Sequence, residues 1–205
     1  MIQADPRPLS QQLRSNPLVA LLIAGSLVGY FVATHMRPPA ELFFLPPDKG
    51  QWWQSLSPIF LHFGIAHFAF NALWLLILGT RIESYSGTLH LLLLVAVTGL
   101  LSNMAQYAWS GSRAFGGMSG VIYGLLGYLY VRGHLNKIAC YQLPNQLVGF
   151  MVGWMLLCMT GLPTLLLGSG IANAAHAGGL LAGVAVGLLF AAAPQRSGQD
   201  ELKRY

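Results

Sequence analysis

Hydrophobic residues run through this chain in long blocks that polar and proline-rich stretches interrupt. Six blocks stand out, at residues 18–35, 61–80, 88–108, 118–133, 146–163 and 171–193. A helix needs roughly 20 mainly apolar residues to cross a bilayer. The pattern therefore predicts an all-α, polytopic membrane protein with six transmembrane helices.

The blocks lie close enough together to form one compact domain. This predicts a six-helix domain at 17–193, a short N-terminal tail at 1–16 and a C-terminal tail at 194–205. The first block follows a polar, basic start and is longer than the apolar core of a signal peptide, so we read it as a retained helix. No internal repeat is clear enough to indicate a transporter built from duplicated halves.

Composition agrees with a membrane location and adds an orientation. Of the 205 residues, 55% are hydrophobic and 8% charged, whereas a soluble domain carries about 25% charged residues. Cytoplasmic loops are enriched in lysine and arginine. With a cytoplasmic N-terminus, the inner side holds Arg7, Arg14, Arg81, Arg132, Lys137, Arg196, Lys203 and Arg204, and the outer side holds Arg37, Lys49 and Arg113. This bias predicts that both termini are cytoplasmic. It also explains most of the net charge of +5, so no nucleic-acid partner is expected.

In this orientation the second, fourth and sixth blocks all run inward from the outer face. Their unusual polar residues lie near their starts, namely His62, His67 and Asn71, then Ser119 and Tyr123, then Asn173 and His176. Two of the pairs, His67 with Asn71 and Ser119 with Tyr123, are spaced i, i+4 and therefore share a helix face. We expect one polar cluster in the outer half of the bilayer.

The fourth block is too short to span. From Ser119 to Arg132 it rises roughly 20 Å, against about 30 Å of hydrocarbon. Because Arg132 marks the inner boundary, Ser119 should lie below the outer surface, beneath a glycine-rich segment. Irregular backbone at that depth requires protein cover or water. The sequence thus predicts a wet pocket with Ser119 at its floor.

A serine at the start of a helix suits nucleophilic catalysis. The free amides and the positive dipole end of the helix would stabilise an oxyanion at an attacked carbonyl. Both His176 and His67 lie at a suitable depth to act as base, and depth alone does not choose between them. The carboxylates lie in the tails, in the segment after the first block or, as Glu83, at the inner end of the second block. We therefore predict a Ser-His dyad without an acidic third member.

Other interpretations use the same residues. Small residues spaced by four, such as Gly179 and Gly183, are typical of close helix packing, and intramembrane histidine or asparagine can hydrogen-bond a neighbouring helix. A metal site is disfavoured, because His62 and His67 are five residues apart, would point to different helix faces and lack the glutamate of an HExxH motif. A channel or transporter is disfavoured by the absence of charged pairs within the blocks. No metal or cofactor is expected.

Three motifs carry a family resemblance, HFGIAHFAFNALWLLILG at 62–79, GGMSGVIYGLLGY at 116–128 and NAAHAGGLLAG at 173–183. In this order on alternate blocks they resemble the signature of rhomboid intramembrane serine proteases, in particular the bacterial GlpG type. The resemblance implies a six-helix rhomboid fold with Ser119 as nucleophile and His176 as base. It further implies that His67, Asn71 and the Ser119 amide stabilise the oxyanion and that Tyr123 supports the catalytic histidine.

The resemblance also implies an activity and a location. These are hydrolysis of peptide bonds in or near transmembrane segments of other membrane proteins, at a site that opens toward the periplasm from the bacterial inner membrane. The partners are then transmembrane protein substrates and the lipid bilayer. Non-catalytic, client-binding rhomboid-like proteins are the alternative, and they typically lack the serine or the histidine. The oligomeric state is left open.

Two further positions bear on the resemblance. The family typically has a Trp-Arg pair after the first helix, whereas this chain has Gln54 in place of the arginine. The anchoring of that segment is therefore in question. Glu83 matches an acidic residue at the inner end of the second helix, where we expect a structural hydrogen-bonding role.

Overall fold

A computed structural model describes residues 8–36, 38–167 and 170–192. In these ranges the chain forms helices and no β-strand, so the predicted all-α class is confirmed. The α-helices are α1 (Leu9–Ser15), α2 (Pro17–His35), α3 (Ile65–Ser86), α4 (Thr88–Ser110), α5 (Ser119–Leu135), α6 (Asn145–Met159), α7 (Leu162–Leu167) and α8 (Asn173–Ala192).

Each predicted hydrophobic block contains a helix, although their lengths differ. By length and composition, α2, α3, α4 and α8 are able to cross a membrane, which makes this a multi-pass membrane protein. The helices of the fourth and fifth blocks are shorter, α5 with 17 residues and α6 with 15. The hydrophobic pattern misplaced the second block, since α3 starts at Ile65 and continues past residue 80 to Ser86.

Parts of the predicted tails lie outside the described residues. These parts include Arg7, Arg196, Lys203 and Arg204, and the outer basic residue Arg37 is likewise outside. Within the N-terminal tail the chain forms α1, which contacts α2. Between them Asn16 is fully buried and accepts a hydrogen bond from Ser84 Oγ at 2.8 Å. The start of α2 is therefore tied to the end of α3.

Helix α5 lies at the centre of the bundle. Thirteen of its 17 residues are buried, and it packs most extensively against α8. At 1.5 Å per residue it is about 26 Å long, which is longer than the sequence indicated because it continues to Leu135. Phe115 and Met118 of the irregular segment that precedes α5 are buried, so protein covers the part of that segment that adjoins the helix. A helix that begins at Ser119 is therefore tolerated within the fold.

The contact of α5 with α8 is made by glycines. A Cβ on Gly179 would overlap the carbonyl oxygen of Gly120, and a Cβ on Gly183 would overlap that of Gly124. The two backbones thus touch directly, as small residues permit in membrane proteins. The packing role expected for Gly179 and Gly183 is confirmed.

Two loops cover the N-terminal end of α5. The first loop (residues 38–64) contains short 3-10 helices at Ala40–Leu42, Trp52–Ser55 and Ser57–Phe60. The nucleophile loop (residues 111–118), named here for the predicted nucleophile Ser119 that follows it, joins α4 to α5. Gly117 in the nucleophile loop has φ +117° and donates its N–H to Pro58 O of the first loop at 2.9 Å. Glycine is the residue that adopts this conformation without strain.

Glu83 lies near the end of α3, beyond the apolar stretch of that helix. Its Oε1 accepts the Leu18 N–H and the Thr88 hydroxyl, and its Oε2 accepts the Val19 N–H, each at 2.9 Å. The carboxylate therefore satisfies orphan amides at the start of α2. The side chain is 4% exposed. These bonds agree with the structural hydrogen-bonding role that the sequence predicts for Glu83.

Glu83→Gln should destabilise the protein by roughly 1–3 kcal/mol, because an amide group would face a backbone N–H and leave it unsatisfied. Thermal unfolding in detergent measures this loss. Glu41→Gln, at an exposed position of the first loop, is the control and should leave the melting temperature unchanged. Equal melting temperatures for the two variants would contradict the role assigned to Glu83.

Candidate active site

Ser119 and His176 face each other at the starts of two parallel helices. Ser119 is the first residue of α5 and His176 lies in the first turn of α8. Ser119 Oγ is 2.9 Å from His176 Nε2, which is within the range for a hydroxyl to donate a hydrogen bond to the ring. At the other end of the same helices, Arg132 donates to the Phe190 carbonyl. The two helices therefore run in the same direction, as the sequence predicts.

Burial and one aromatic contact hold the imidazole of His176. The side chain is 6% exposed. Its ring lies 4.9 Å, centroid to centroid, from that of Tyr123, whose hydroxyl donates to Met151 O at 2.8 Å. Within the described residues, His176 Nδ1 is buried without a hydrogen-bond partner. The arrangement is a serine and a histidine without a carboxylate on the far side of the ring.

His67 and Asn71 lie on α3, where His67 contacts the loop that leads into Ser119. The His67 ring packs on the nucleophile loop, where a Cβ on Gly117 would come within 2.6 Å of His67 Nε2. Asn71 is 5% exposed and donates from Nδ2 to His67 O at 2.7 Å. An amide nitrogen carries two hydrogens, so this bond leaves one donor of Asn71. The structure thus clusters Ser119, Tyr123 and His176, with His67 against the loop before Ser119 and Asn71 bonded to His67.

His62 lies elsewhere than the sequence indicates. It precedes α3, so the prediction that it lies on a helix face turned away from His67 is wrong. The two rings are 4.9 Å apart. His62 is fully buried, its Nδ1 is 2.9 Å from Phe60 O, and the Met118 amide approaches its Nε2 at 3.5 Å. This histidine connects the first loop to the nucleophile loop.

Other polar residues fix the start of α8. Asn173 donates from Nδ2 to Cys158 O at 3.0 Å. Gln106, near the C-terminal end of α4, accepts the Ala175 N–H at 3.2 Å. Gln106 was not singled out from the sequence, although a glutamine at the same depth as the other polar residues of the site was a usable signal. These bonds position the first turn of α8, on which His176 lies.

Within the described residues, no group of three His, Cys, Asp or Glu side chains is placed to hold a metal ion. The three described carboxylates are also remote from the imidazole. Glu83 binds the start of α2, and Glu41 and Asp48 are exposed in the first loop. The chemistry available is therefore that of a hydroxyl, imidazoles, an amide and helix-terminal N–H groups.

Membrane-spanning helices around a partly buried serine and a buried histidine define a multi-pass membrane protein with a polar site inside its helix bundle. A family model described as the Rhomboid domain matches residues 49–193. The chain belongs to the rhomboid family.

Curated relatives agree with this assignment. The chain is 36% identical over 174 residues to the rhomboid protease GlpG of Pectobacterium atrosepticum, covering 84% of this chain and 58% of the relative. It is 35% identical over 181 residues to the protein of that name from Serratia proteamaculans, covering 85% and 63%. With that of Yersinia pestis (strain Pestoides F) it is 39% identical over 141 residues, covering 69% and 48%. The chain thus spans about half to three-fifths of the length of these relatives.

Proposed function

We propose that this protein is an intramembrane serine endopeptidase that hydrolyses peptide bonds in or near transmembrane segments of other membrane proteins. The observation that carries the proposal is the 2.9 Å contact between Ser119 Oγ and His176 Nε2 at the start of a central helix. Membership of a family whose relatives are named rhomboid proteases supports it. The presence of both residues argues against a non-catalytic, client-binding role.

In the first half of the reaction, Ser119 Oγ attacks the carbonyl carbon of the scissile bond while His176 Nε2 takes the hydroxyl proton. The carbonyl oxygen becomes negative, and the donors assigned to it in this proposal are the Ser119 amide, the free Asn71 hydrogen and the His67 ring. The histidine then returns its proton to the leaving amine, and the ester of Ser119 remains.

In the second half, a water gives a proton to His176 and attacks the ester, and collapse of the intermediate returns the proton to Ser119 Oγ. This step requires water at the start of α5. Without a carboxylate partner, the imidazole orientation in the proposed dyad depends on its packing against Tyr123 and on the bonds that fix the first turn of α8.

We further propose the family's six-span arrangement, formed by residues 17–193, with both termini cytoplasmic and residues 1–16 and 194–205 as tails. The parallel α5 and α8 support it, because their shared start carries the site and their shared end carries Arg132. The site then opens toward the periplasm from the bacterial inner membrane. Substrates should be membrane proteins whose spans unwind readily, since a helical carbonyl is hydrogen-bonded and poorly exposed to attack.

The test uses the protein reconstituted in liposomes with a single-span reporter whose transmembrane segment contains glycine and proline. We expect two fragments cut within or next to the span, and stoichiometric labelling of Ser119 by a fluorophosphonate, both located by mass spectrometry. An intact reporter together with an unlabelled Ser119 would overturn the proposed activity.

Asn71→Ala should lower kcat by about 10- to 100-fold with little change in KM, because it removes one of several oxyanion donors. Steady-state cleavage of the same reporter measures both constants. The control is Asn145→Ala, at an exposed position at the start of α6. A variant that loses affinity but keeps kcat would instead place Asn71 in ground-state binding.

A further inference from the structure

Arg113 of the nucleophile loop reaches the first loop. Its Nε donates to the carbonyl oxygen of Phe44 at 2.7 Å. The two residues are 69 positions apart in the chain. Arg113 itself is exposed, so the guanidinium keeps its charge in contact with solvent while Nε makes a bond between the loops.

Phe44 is a fixed point for that bond. Its side chain is fully buried, and its ring lies 5.1 Å from that of Tyr107 at the end of α4 and 5.5 Å from that of Phe115 in the nucleophile loop. Phe44 therefore meets the nucleophile loop twice, through its carbonyl to Arg113 and through its ring to Phe115.

The chain on either side of Phe44 is also held. Leu45 donates its N–H to Gln54 O at 3.3 Å, and Ser55 Oγ donates to Leu45 O at 2.9 Å. Gln54, the residue whose anchoring was in question, is 6% exposed and bonds from its side chain to the Gln51 N–H and Glu41 O. Phe44 thus lies in a part of the first loop, residues 41–55, that is held together by its own hydrogen bonds.

Three residues, Gly116, Gly117 and Met118, separate Phe115 from Ser119, and they lie against the first loop. A Cβ on Gly116 would meet Leu61 O at 2.8 Å, and the Gly117 N–H bonds to Pro58 O at 2.9 Å. The path from Arg113 to the proposed nucleophile is therefore short and contacts the first loop at several residues. A shift at Arg113 would thus move the backbone that leads into Ser119.

From these contacts we infer that Arg113 is a positioning residue, which through its Nε–Phe44 bond holds the nucleophile loop in register with the first loop and so places Ser119. This inference rests on the proposed peptidase function. It assigns the anchoring of the first loop to a residue of the nucleophile loop, acting together with Gln54.

The bond can be separated from the charge by substitution. In Arg113→Gln the amide nitrogen is attached to Cδ, the atom that carries Nε in arginine, so the donor is kept and the charge is lost. Arg113→Met has similar length and no donor. Arg113→Lys keeps the charge but has carbon at the Nε position. Lys49→Met, at an exposed cation of the first loop, controls for removal of outer positive charge.

We expect Arg113→Met to lower kcat by about tenfold with KM changed less than about twofold, the order that loss of one charge-assisted hydrogen bond produces. The rate of fluorophosphonate labelling of Ser119 should fall in parallel. Arg113→Gln should retain most of the activity, Arg113→Lys should resemble the methionine variant, and Lys49→Met should match wild type.

Hydrogen exchange at residues 115–118 provides a readout that does not need activity. Exchange should be faster in Arg113→Met than in Arg113→Gln, because the loop has lost its outer bond. Equal kcat, labelling and exchange in these two variants would overturn the inference, and so would greater activity of the lysine variant than of the glutamine variant. Failure of the proposed function has a different signature, an intact reporter and unlabelled Ser119 in the wild type itself.

Discussion

Ser119→Ala should abolish cleavage of a single-span reporter, with kcat lowered by roughly 10⁴-fold or more. The alanine variant has no atom that can form the ester, while the rest of the pocket is unchanged because Ser119 is only partly buried and its Oγ bonds to His176 alone among the contacts described for it. Fluorophosphonate labelling should be lost together with cleavage. The melting temperature should stay within a few degrees of wild type.

His176→Ala should have a loss of the same order, and Ser119→Ala/His176→Ala should be no worse than either single variant. Groups that act as one unit give strongly non-additive effects, because removing either member already disables the proton transfer. Initial rates for the two single variants and the double variant measure this. A double variant whose loss of rate equals the product of the two single losses would contradict a Ser-His dyad. Cleavage by Ser119→Ala at the wild-type rate would contradict it as well.

Much of the candidate site could be predicted from the sequence, because its signals are local. The i, i+4 spacing of Ser119 and Tyr123 placed both on one face of α5, and the position of His176 near the start of its block placed it at the same depth. The structure brings Ser119 and His176 together although they lie 57 positions apart. A shared depth and a shared helix direction predicted a histidine near Ser119, whereas the choice of His176 over His67 came from the family resemblance.

The contacts of the two loops were not predictable in the same way. Bonds such as Arg113 to Phe44 O and Gln54 to Glu41 O end on backbone carbonyls, which every residue has, so the sequence carries no mark of the acceptor. His62 was misplaced for a related reason. The residues around it are apolar enough to continue a helical pattern, but α3 begins only after Gly64, and the tertiary contacts of His62 determine its position.

The end of α3 was also misplaced, in this case because charged residues follow its apolar stretch. Arg81 and Glu83 end the apolar block and suggested the end of the helix, yet the helix continues to Ser86. Burial of Glu83 is tolerated because the start of α2 supplies two N–H donors. A charged residue therefore marks the end of a span only where no neighbouring helix terminus satisfies it.

Gly183→Val should unfold or severely destabilise the protein, with a loss of at least about 3 kcal/mol, the upper end of ordinary overpacking. The reason is that its Cβ would overlap the Gly124 carbonyl oxygen, a backbone atom of a buried helix that cannot rotate away. Separation of α5 from α8 would also part Ser119 from His176, so activity should be lost with stability. Gly153→Val in α6 is the matched control, since no atom lies within 4 Å of its Cβ position, and valine has a somewhat higher helix propensity than glycine, so no loss of stability is expected there. Denaturant unfolding of both variants in the same detergent, followed by helical circular dichroism, measures the difference. If Gly183→Val were as stable as Gly153→Val, the direct backbone contact between α5 and α8 would be wrong, and the short distance between Ser119 and His176 would need another cause.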